Sequence, residues 1–310
     1  MSLVAKLMIY ALPFSTLALF PLILPLYFGF KLLRRIKSTL FTENLHAKVV
    51  LITGASSGIG EHLAYEYGKR GARLALAARR EDRLQAVAEK AKKLGSPDVA
   101  VFRADVSNPQ DCKTLVDQTV LHFGQLDHLV NNAGILRTAT FQGCDDVSNF
   151  APIMDTNFWG SVHCTHSAIP HLRKSKGKIV VISSIASWLP TPKLSFYNAS
   201  KAALTTFFET LRVEFGSEIG ITIVTPGAIH SEMTSNEFLS EFGLDRTGVE
   251  STEVCAKAIV ESACRGDRSL IVPSHDIVSF ILKIVSPELL EWLLRYHILQ
   301  KKSTTTKKEA

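Results

Sequence analysis

A glycine-rich loop between an apolar run and a helical pattern constrains the fold of this chain more than any other feature. The run at 49–53, "VVLIT", is rich in β-branched residues, as a strand buried in a parallel sheet requires. The loop "TGASSGIG" then leads into apolar residues at helical spacing, and a second apolar run follows at 73–78. Strand, glycine turn, helix and strand in this order form the dinucleotide-binding unit of α/β proteins. The sequence therefore predicts that this loop approaches the phosphates of a nucleotide.

Five further strand candidates recur along the chain at the spacing of strands that alternate with helices. They lie at 99–106, 126–134, 178–184, 221–227 and 269–273. Strands separated by helices pair in parallel through right-handed crossovers. We therefore predict an α/β fold, with a single Rossmann-type doubly wound and mostly parallel sheet of about seven strands, in a domain at 45–275. A chain of 310 residues has room for one such domain and further segments at its ends.

The end of the second predicted strand indicates which nicotinamide cofactor the crevice prefers. An acidic residue there would hold the ribose hydroxyls of NAD and repel a 2′-phosphate, but this chain has Arg79 and Arg80. Guanidinium groups bind phosphate through charge-assisted, bidentate hydrogen bonds, so we predict NADP with these arginines on its 2′-phosphate. The alternative is a solvated pair that opens the next helix and pairs with Glu81 and Asp82.

Tyr197 and Lys201 are the leading candidates for proton transfer. Their i, i+4 spacing places them on one face of a helix. A free tyrosine has a pKa of about 10, which a nearby ammonium and the positive ring of an oxidised nicotinamide would lower. The phenol could then give a proton to a carbonyl oxygen, or take one from an alcohol, while a hydride moves. Lys201 could also hold the nicotinamide ribose, and Ser184 could hold the reacting oxygen, with its neighbour Ser183 as the alternative.

Several short motifs occur in a fixed order along the chain. They are "TGASSGIG", "NNAG" at 131–134, Asn157, Ser184, Tyr197 with Lys201, and "PG" at 226–227. This set resembles the short-chain dehydrogenase/reductase family, in its type with a single Rossmann domain, over about residues 48–273. The resemblance implies that Tyr197 is the acid/base and Lys201 its electrostatic partner. It also implies that Ser184 binds the substrate oxygen beside Tyr197, and that Asn157 orients a water in a proton relay.

The resemblance also implies which residues contact the cofactor. Asp105 and Val106, which end the third predicted strand, are expected near the adenine. Ser231 stands where the family often has threonine, and since it keeps the hydroxyl we expect little loss. The other expected contacts, besides Tyr197 and Lys201, are Gly54, Ser56, Ser57, Gly58, Ile59, Gly60, Asn132, Ala133, Gly134, Pro226, Gly227 and Ile229.

Cysteine usage and charge limit the other classes of function. The five cysteines are odd in number and no pair has metal-ligand spacing, so we predict reduced thiols and no metal site. The net charge is +6, with basic residues clustered at 31–37 and 301–308. A basic cluster beside an apolar segment favours an anionic membrane surface as partner, whereas no nucleic-acid recognition motif accompanies the charge.

The amino-terminal segment predicts a membrane anchor at 1–37. No charged residue occurs from Leu7 to Phe30, and about 24 residues suffice to cross a bilayer as a helix. The run is too long for a cleaved signal peptide and lacks a small-residue cleavage site. Pro13, Pro21 and Pro25 interrupt it, so a kinked span and a hairpin that dips into one leaflet both remain open. The basic cluster after the segment predicts a catalytic domain that faces the cytosol.

This architecture, an apolar leader broken by proline before an NADP-type domain, narrows the resemblance. It is similar to the membrane-bound 11β-hydroxysteroid dehydrogenase group and, within it, to the plant steroleosins, the sterol dehydrogenases of oil bodies. The resemblance implies reversible hydride transfer between NADP(H) and a hydroxyl or keto group of a sterol-like lipid. It implies a location at the endoplasmic reticulum membrane or a lipid droplet. The alternatives are a reductase of another lipid carbonyl, such as a ketosphingolipid or fatty aldehyde, and a structural droplet protein.

Two apolar segments follow the last motif. Residues 230–253, which include Met233, Phe238 and Phe242, predict a mobile lid over a hydrophobic substrate, or else a segment that packs on the sheet. Residues 276–300 predict amphipathic helices, one of which starts at Ser286 and Pro287. Their apolar face could bind a membrane, a second subunit or the chain's own core. We expect a homodimer by analogy with the family, and a disordered tail at 301–310.

Overall fold

The computed structural model describes residues 42–244 and 248–300, with only the backbone of residue 300, and five isolated positions before them. At those positions, 21, 24, 25, 28 and 29, the backbone is helical. The chain divides into two compact units, Met1–Glu43 and Asn44–Ala310. The anchor predicted at 1–37 lies almost wholly outside the described residues, as does the tail at 301–310. No helix among the described positions is long and apolar enough to cross a membrane.

Seven parallel strands form one sheet in the order β3-β2-β1-β4-β5-β6-β7. This confirms the predicted seven-stranded α/β fold. The chain order reverses beside β1, which pairs with both β2 and β4, and such a switch point opens a crevice at the carboxyl ends of the strands. The strands are β1 Val49–Thr53, β2 Arg73–Ala78, β3 Val99–Arg103, β4 His128–Asn131, β5 Lys178–Ile182, β6 Gly220–Pro226 and β7 Ser269–Val272.

Helices cover both faces of the sheet. Val50 and Ile52 of β1 pack into one apolar layer, whereas Val49 and Leu51 pack into the other. Because side chains of β1 pack into both layers, every residue of this strand is buried. Burial of one such apolar side chain contributes about 1.5–3 kcal/mol to stability. The α-helices of six or more residues among the described residues are α1 Gly58–Lys69, α2 Glu81–Lys93, α3 Pro109–Phe123, α4 Gly160–Ser175, α5 Ser195–Phe215, α6 Asn236–Glu241, α7 Thr252–Arg265, α8 Ile277–Val285 and α9 Pro287–Arg295.

The third strand is shorter than the sequence predicts. It ends at Arg103, and the backbone N–H of Asp105 donates to the Asp111 carboxylate at 2.9 Å instead of continuing the sheet. Asp105 and Val106 therefore lie in the turn that leads to α3, not in the strand. The prediction was wrong there because the apolar pattern of "VAVFRADV" does not reveal that a side chain six residues later takes the backbone donor.

Helix α9 begins at the residue that the sequence predicts, and only part of the apolar surface of α8 and α9 is buried. Helix α9 starts at Pro287 after Ser286, although the Ser286 side chain makes no capping hydrogen bond. Leu290 is buried, while Ile281 and Trp292 are 53% and 58% exposed. Within the predicted lid the described chain forms a 3-10 turn, Glu232–Thr234, and the short helix α6.

Candidate active site

A cavity of about 770 Å³ opens at the carboxyl ends of the strands. Loops that follow all seven strands contribute to its wall, as expected of a doubly wound sheet. Gly60 and Asn157 are the two predicted site residues that do not line it. Those that line it are Gly54, Ser56, Ser57, Gly58, Ile59, Arg79, Arg80, Asp105, Val106, Asn132, Ala133, Gly134, Ser184, Tyr197, Lys201, Pro226, Gly227, Ile229 and Ser231.

The glycine loop packs its backbone closely against the end of β4. Gly54 has φ +64°, and a Cβ there would lie 2.7 Å from the Cα of Ala133. A Cβ on Gly60 would lie 2.3 Å from the Gly54 carbonyl oxygen, so Gly60 acts in packing. Helix α1 begins at Gly58, and the side chain of its N-cap residue, Ser57, makes no capping hydrogen bond. Its amide donors can therefore bind an anion, and the loop fits the pyrophosphate of a dinucleotide.

Asn132 ties this loop to β4. Its side-chain amide donates to the Thr53 and Gly54 carbonyl oxygens at 2.8 and 3.1 Å. The backbone N–H groups of Asn132 and Ala133 donate to the Thr53 hydroxyl at 3.1 and 3.2 Å. The Asn132 side chain thus holds the crevice in shape, while Ala133 and Gly134 form part of its wall.

The two arginines after β2 have different surroundings. The Arg79 side chain is 66% exposed, with its guanidinium 3.8 Å from the Asp105 carboxylate. Arg80 donates to the Ser57 hydroxyl at 2.7 Å and to the Glu232 carboxylate at 2.8 Å. In the described part of the chain neither arginine forms an ion pair with the acidic residues at 81 and 82. The alternative prediction, that the arginines pair with Glu81 and Asp82, is therefore wrong.

Tyr197 and Lys201 lie one turn apart near the start of α5, and both are buried. The Lys201 ammonium donates to the carbonyl oxygen of Ile182, the last residue of β5, at 2.9 Å. It lies 5.7 Å from the centre of the Tyr197 ring. The Ser184 hydroxyl donates to the Pro226 carbonyl oxygen at 3.4 Å and lies close enough to the Tyr197 phenol to lower its pKa. Ser183 turns instead to Thr205, at 2.7 Å, so the geometry favours Ser184 as the serine beside the tyrosine.

Burial, more than neighbouring charge, sets the acidity of this pair. It raises the pKa of Tyr197 to about 12, and the Ser184 hydrogen bond lowers that pKa by less. Burial also lowers the pKa of the Lys201 ammonium to about 8. The expected lowering of the tyrosine pKa by the Lys201 ammonium is therefore wrong, whereas the lowering expected from an oxidised nicotinamide stays a prediction. The reason is that transfer of the phenolate out of water costs more than its neighbours return.

Asn157 lies behind the wall of the cavity. It belongs to a π-helical turn, Asp155–Trp159, a local irregularity that is frequent at functional sites. Its carboxamide oxygen accepts from the Ile135 N–H at 2.8 Å, and its amide donates to the Ser200 hydroxyl at 3.0 Å. A Cβ on Gly134 would lie 3.3 Å from the Asn157 carboxamide oxygen and 3.5 Å from the Lys201 ammonium. Asn157 is therefore close to the Lys201 side of the site but does not reach Tyr197.

The segment after β6 crosses the crevice. The Ser231 hydroxyl lies 3.2 Å from that of Thr234, and its Cβ lies 3.3 Å from where a Cβ on Gly58 would be. A Cβ on Gly227 would lie 2.0 Å from the Asp276 carboxylate. The segment after β6 thus contacts the glycine loop on one side and the loop after β7 on the other.

Sequence reasoning missed several residues of the site. Glu232 lies 149 residues from Arg83 and 152 from Arg80, and no local pattern signals those contacts. Asp276 was missed as well, because its contact with Gly227 forms only when β6 and β7 lie side by side. The apolar pattern of α9 indicated that one face of this helix is covered, but it did not indicate that the face lines the cavity. Part of that face lines the cavity through Leu290, Leu293 and Leu294, and the π-helical turn Tyr296–Gln300 that follows α9 adds His297 and Ile298.

The described residues include no cluster suited to a metal ion. Among them, no group of three or more histidine, cysteine, aspartate or glutamate side chains is placed to hold one. The five cysteines are free thiols, four of them buried.

Comparison with known proteins defines the class of this chain. The family model for short chain dehydrogenase matches residues 48–241. A protein of Arachis hypogaea named 11-beta-hydroxysteroid dehydrogenase A is 56% identical over 92% of this chain and 85% of its own length. An Arabidopsis thaliana protein named 11-beta-hydroxysteroid dehydrogenase-like 2 is 52% identical over 93% of each chain.

Solved structures agree with this. A short-chain type dehydrogenase/reductase from Mycobacterium marinum superposes with a TM-score of 0.68 at 27% identity, over 74% of this chain and 95% of its own. One from Burkholderia phymatum in complex with NAD superposes with a TM-score of 0.73 over 80% and 96%, and at 24% identity it supports the fold alone. The chain belongs to the short chain dehydrogenase family, and it is an oxidoreductase enzyme that uses NAD or NADP.

Proposed function

We propose that this enzyme uses NADP(H) to interconvert a hydroxyl and a keto group on a hydrophobic, steroid-like substrate. The observation that carries the proposal is a buried phenol, Tyr197, beside the Ser184 hydroxyl and above the Lys201 ammonium, in the wall of one large cavity. Apolar side chains of the segment after β6 and of α9 line the same cavity, which suits a lipid. The names of the relatives in Arachis hypogaea and Arabidopsis thaliana support a steroid among lipids.

The protein's own groups suit the proton transfer that accompanies such a reaction. Bound NADP(H) supplies or accepts the hydride. The Ser184 hydroxyl donates a hydrogen bond to the substrate oxygen and orients it toward Tyr197. With a pKa raised to about 12, the Tyr197 hydroxyl keeps its proton at neutral pH and can give it to a carbonyl oxygen. The Lys201 ammonium then stabilises the phenolate until it regains a proton.

The experiment that tests the substrate class follows the absorbance of NADPH. The protein is incubated with NADPH and a panel of ketosteroids, sterol ketones, ketosphingolipids and long-chain aldehydes. We expect oxidation of NADPH with ketosteroids or sterol ketones at the highest kcat/KM. A preference for the ketosphingolipid or the aldehyde would replace the steroid part of the proposal and leave the reaction class intact.

The preference for NADP is a proposal supported by Arg79 and Arg80. Both lie at the end of β2 and line the cavity. Changing both to alanine should raise the KM for NADPH by about tenfold or more, since charge-assisted hydrogen bonds to phosphate are strong, and should change the KM for NADH much less. Steady-state kinetics with both cofactors measures this, and equal effects on the two would contradict it.

The proposed location is the cytosolic surface of the endoplasmic reticulum or of a lipid droplet, held by the segment at 1–37. The uncharged run and the basic cluster after it support this, as do the exposed apolar residues of α8 and α9. The test is the cellular distribution of the full chain and of a form without residues 1–37, each with a fluorescent tag. We expect the shortened form to leave membranes and droplets; retention of both would contradict an anchor there.

A further inference from the structure

A carboxylate of this chain already binds Arg80, one of the two arginines proposed to hold the cofactor, and also binds Arg83. Glu232, in the segment after β6, accepts a hydrogen bond from the Arg80 guanidinium at 2.8 Å. Its other oxygen accepts from Arg83, on the first turn of α2. These contacts span 152 and 149 residues of sequence, so the fold alone brings the three side chains together.

The same contacts hold the segment after β6 against the glycine loop. The remaining donors of Arg80 bind the Ser57 hydroxyl at 2.7 Å and the Ser56 hydroxyl at 3.2 and 3.3 Å. Arg80 therefore joins Glu232 to the loop that is built for the pyrophosphate. Hydrogen bonds from Arg80 and then Arg83 lower the pKa of Glu232, so its carboxylate stays ionised at neutral pH.

We propose that Glu232 is a cofactor-specificity residue, which competes with the 2′-phosphate of NADP for Arg80 and Arg83. A carboxylate presents two oxygens to a guanidinium much as a phosphate does, but with less charge. The 2′-phosphate therefore displaces Glu232 from both arginines, whereas NAD has no group there that can do so. The proposal rests on the proposed use of NADP, and it adds Arg83 to the phosphate ligands.

Displacement of Glu232 has an effect at the substrate end of the cavity. The segment that Glu232 begins carries Met233, Phe238 and Phe242 into the cavity wall. Its other end stays tied, because Glu241 accepts from Lys193 at 3.0 Å and from Thr138 at 3.1 Å. Loss of the arginine contacts therefore releases this segment from the glycine loop and from α2, although His230 stays bound to Glu250. NADP binding should thus loosen residues 231–240 where NAD binding does not.

The test compares Glu232→Gln with the wild-type chain. Glu237→Gln is the matched control, because Glu237 lies on the same segment and contacts no arginine among the described residues. Affinities for NADP⁺, NAD⁺, 2′,5′-ADP and 5′-AMP are measured by isothermal titration calorimetry. For Glu232→Gln we expect about threefold to tenfold tighter binding of NADP⁺ and 2′,5′-ADP, and a change under about twofold for the other two. Arg83→Ala in the Glu232→Gln background should reverse the gain.

Hydrogen exchange of residues 231–240 provides the second measurement. We expect NADP⁺ to increase exchange in the wild-type chain and NAD⁺ to leave it unchanged, while Glu232→Gln exchanges faster before any ligand is added. If the wild-type chain prefers NADP⁺ and Glu232→Gln shows the same ratio of NADP⁺ to NAD⁺ affinity, the role of Glu232 is overturned. The proposed use of NADP then stands. A wild-type chain without a preference for NADP⁺ overturns the proposed cofactor and this inference together.

Discussion

At the scale of single residues, burial gives Tyr197 and Lys201 opposite tendencies. It holds the phenol in its protonated form and makes the ammonium easier to deprotonate. Both shifts arise because the charged form of each group loses water on folding. On the proposed function, the raised pKa suits Tyr197 to the role of proton donor. The buried Lys201 ammonium costs folding stability.

Loss of the phenol should separate chemistry from cofactor binding. For Tyr197→Phe we expect turnover to fall by about 10²–10⁴-fold, the usual contribution of a positioned acid or base. The ring is kept, so the dissociation constant of NADP⁺ should stay within about twofold. Single-turnover kinetics and calorimetry measure the two quantities. Retained turnover would identify a different proton donor, and the unfolding midpoint of the variant serves as the control for folding.

Removal of the buried ammonium should stabilise the protein while it inactivates the enzyme. The pKa of Lys201 is lowered from 10.5 to about 8, so the unfolded chain binds this proton more tightly than the folded chain does. The penalty is complete below pH 8 and vanishes as the pH rises to 10.5. At about 1.4 kcal/mol per pKa unit, Lys201→Met should gain about 1–3 kcal/mol at pH 7 without cofactor.

Urea unfolding of Lys201→Met and of the wild-type chain between pH 7 and pH 10.5 measures that gain. We expect the difference to shrink steadily across the range. An exposed lysine on α4, Lys174, provides the control, and Lys174→Met should change the free energy of unfolding by less than about 0.5 kcal/mol. A gain that does not depend on pH would show that the charge of Lys201 is not its cause.

At the scale of elements, Gly227 directly follows β6 and packs against the loop after β7. For Gly227→Ala the new Cβ would lie 2.0 Å from the Asp276 carboxylate and 3.4 Å from Cδ of Pro273. Overpacking of this kind typically costs about 1–3 kcal/mol of stability. We expect a lower unfolding midpoint and a higher KM for substrate. The double variant Gly227→Ala with Asp276→Ser should recover most of the midpoint, and no recovery would exclude the carboxylate as the obstacle.

The elements that the sequence predicts well are those whose pattern depends on burial alone. Both faces of β1 are covered, so its apolar run is continuous, and the loop after it needs glycine at Gly54. The predicted end of β3 was wrong because the Asp111 carboxylate accepts the hydrogen bond from the Asp105 backbone N–H. Glu232 was missed because its partners Arg80 and Arg83 become neighbours only when the sheet has formed. Local pattern thus predicts the elements, whereas contacts between loops depend on their assembly.

At the scale of the whole molecule, the last two helices serve the cavity and the surface at once. Leu290 is buried beside the cavity, whereas Ile281, Ile284 and Trp292 are 53%, 67% and 58% exposed. Exposed apolar patches of this kind often mark contact with a membrane or a protein. On the proposed function, these residues would contact a lipid surface, while other residues of the same two helices line the cavity.

A charge on that face should weaken binding to lipid without unfolding the protein. For Ile281→Glu, in a form without residues 1–37, we expect clearly reduced flotation with anionic phospholipid vesicles and an unchanged unfolding midpoint. Leu121→Glu is the control, because Leu121 is 87% exposed as a single apolar residue on α3. Equal flotation of the two variants would show that α8 does not contact lipid.

The alternation along β1 has a consequence for how the catalytic domain melts. Val50 and Ile52 support one layer while Val49 and Leu51 support the other, so neither layer can come apart and leave the strand intact. The two apolar layers should therefore unfold together, in a single cooperative transition. A nucleotide bound at the tip of this strand would slow amide exchange in helices on opposite sides of the sheet, including those it never touches.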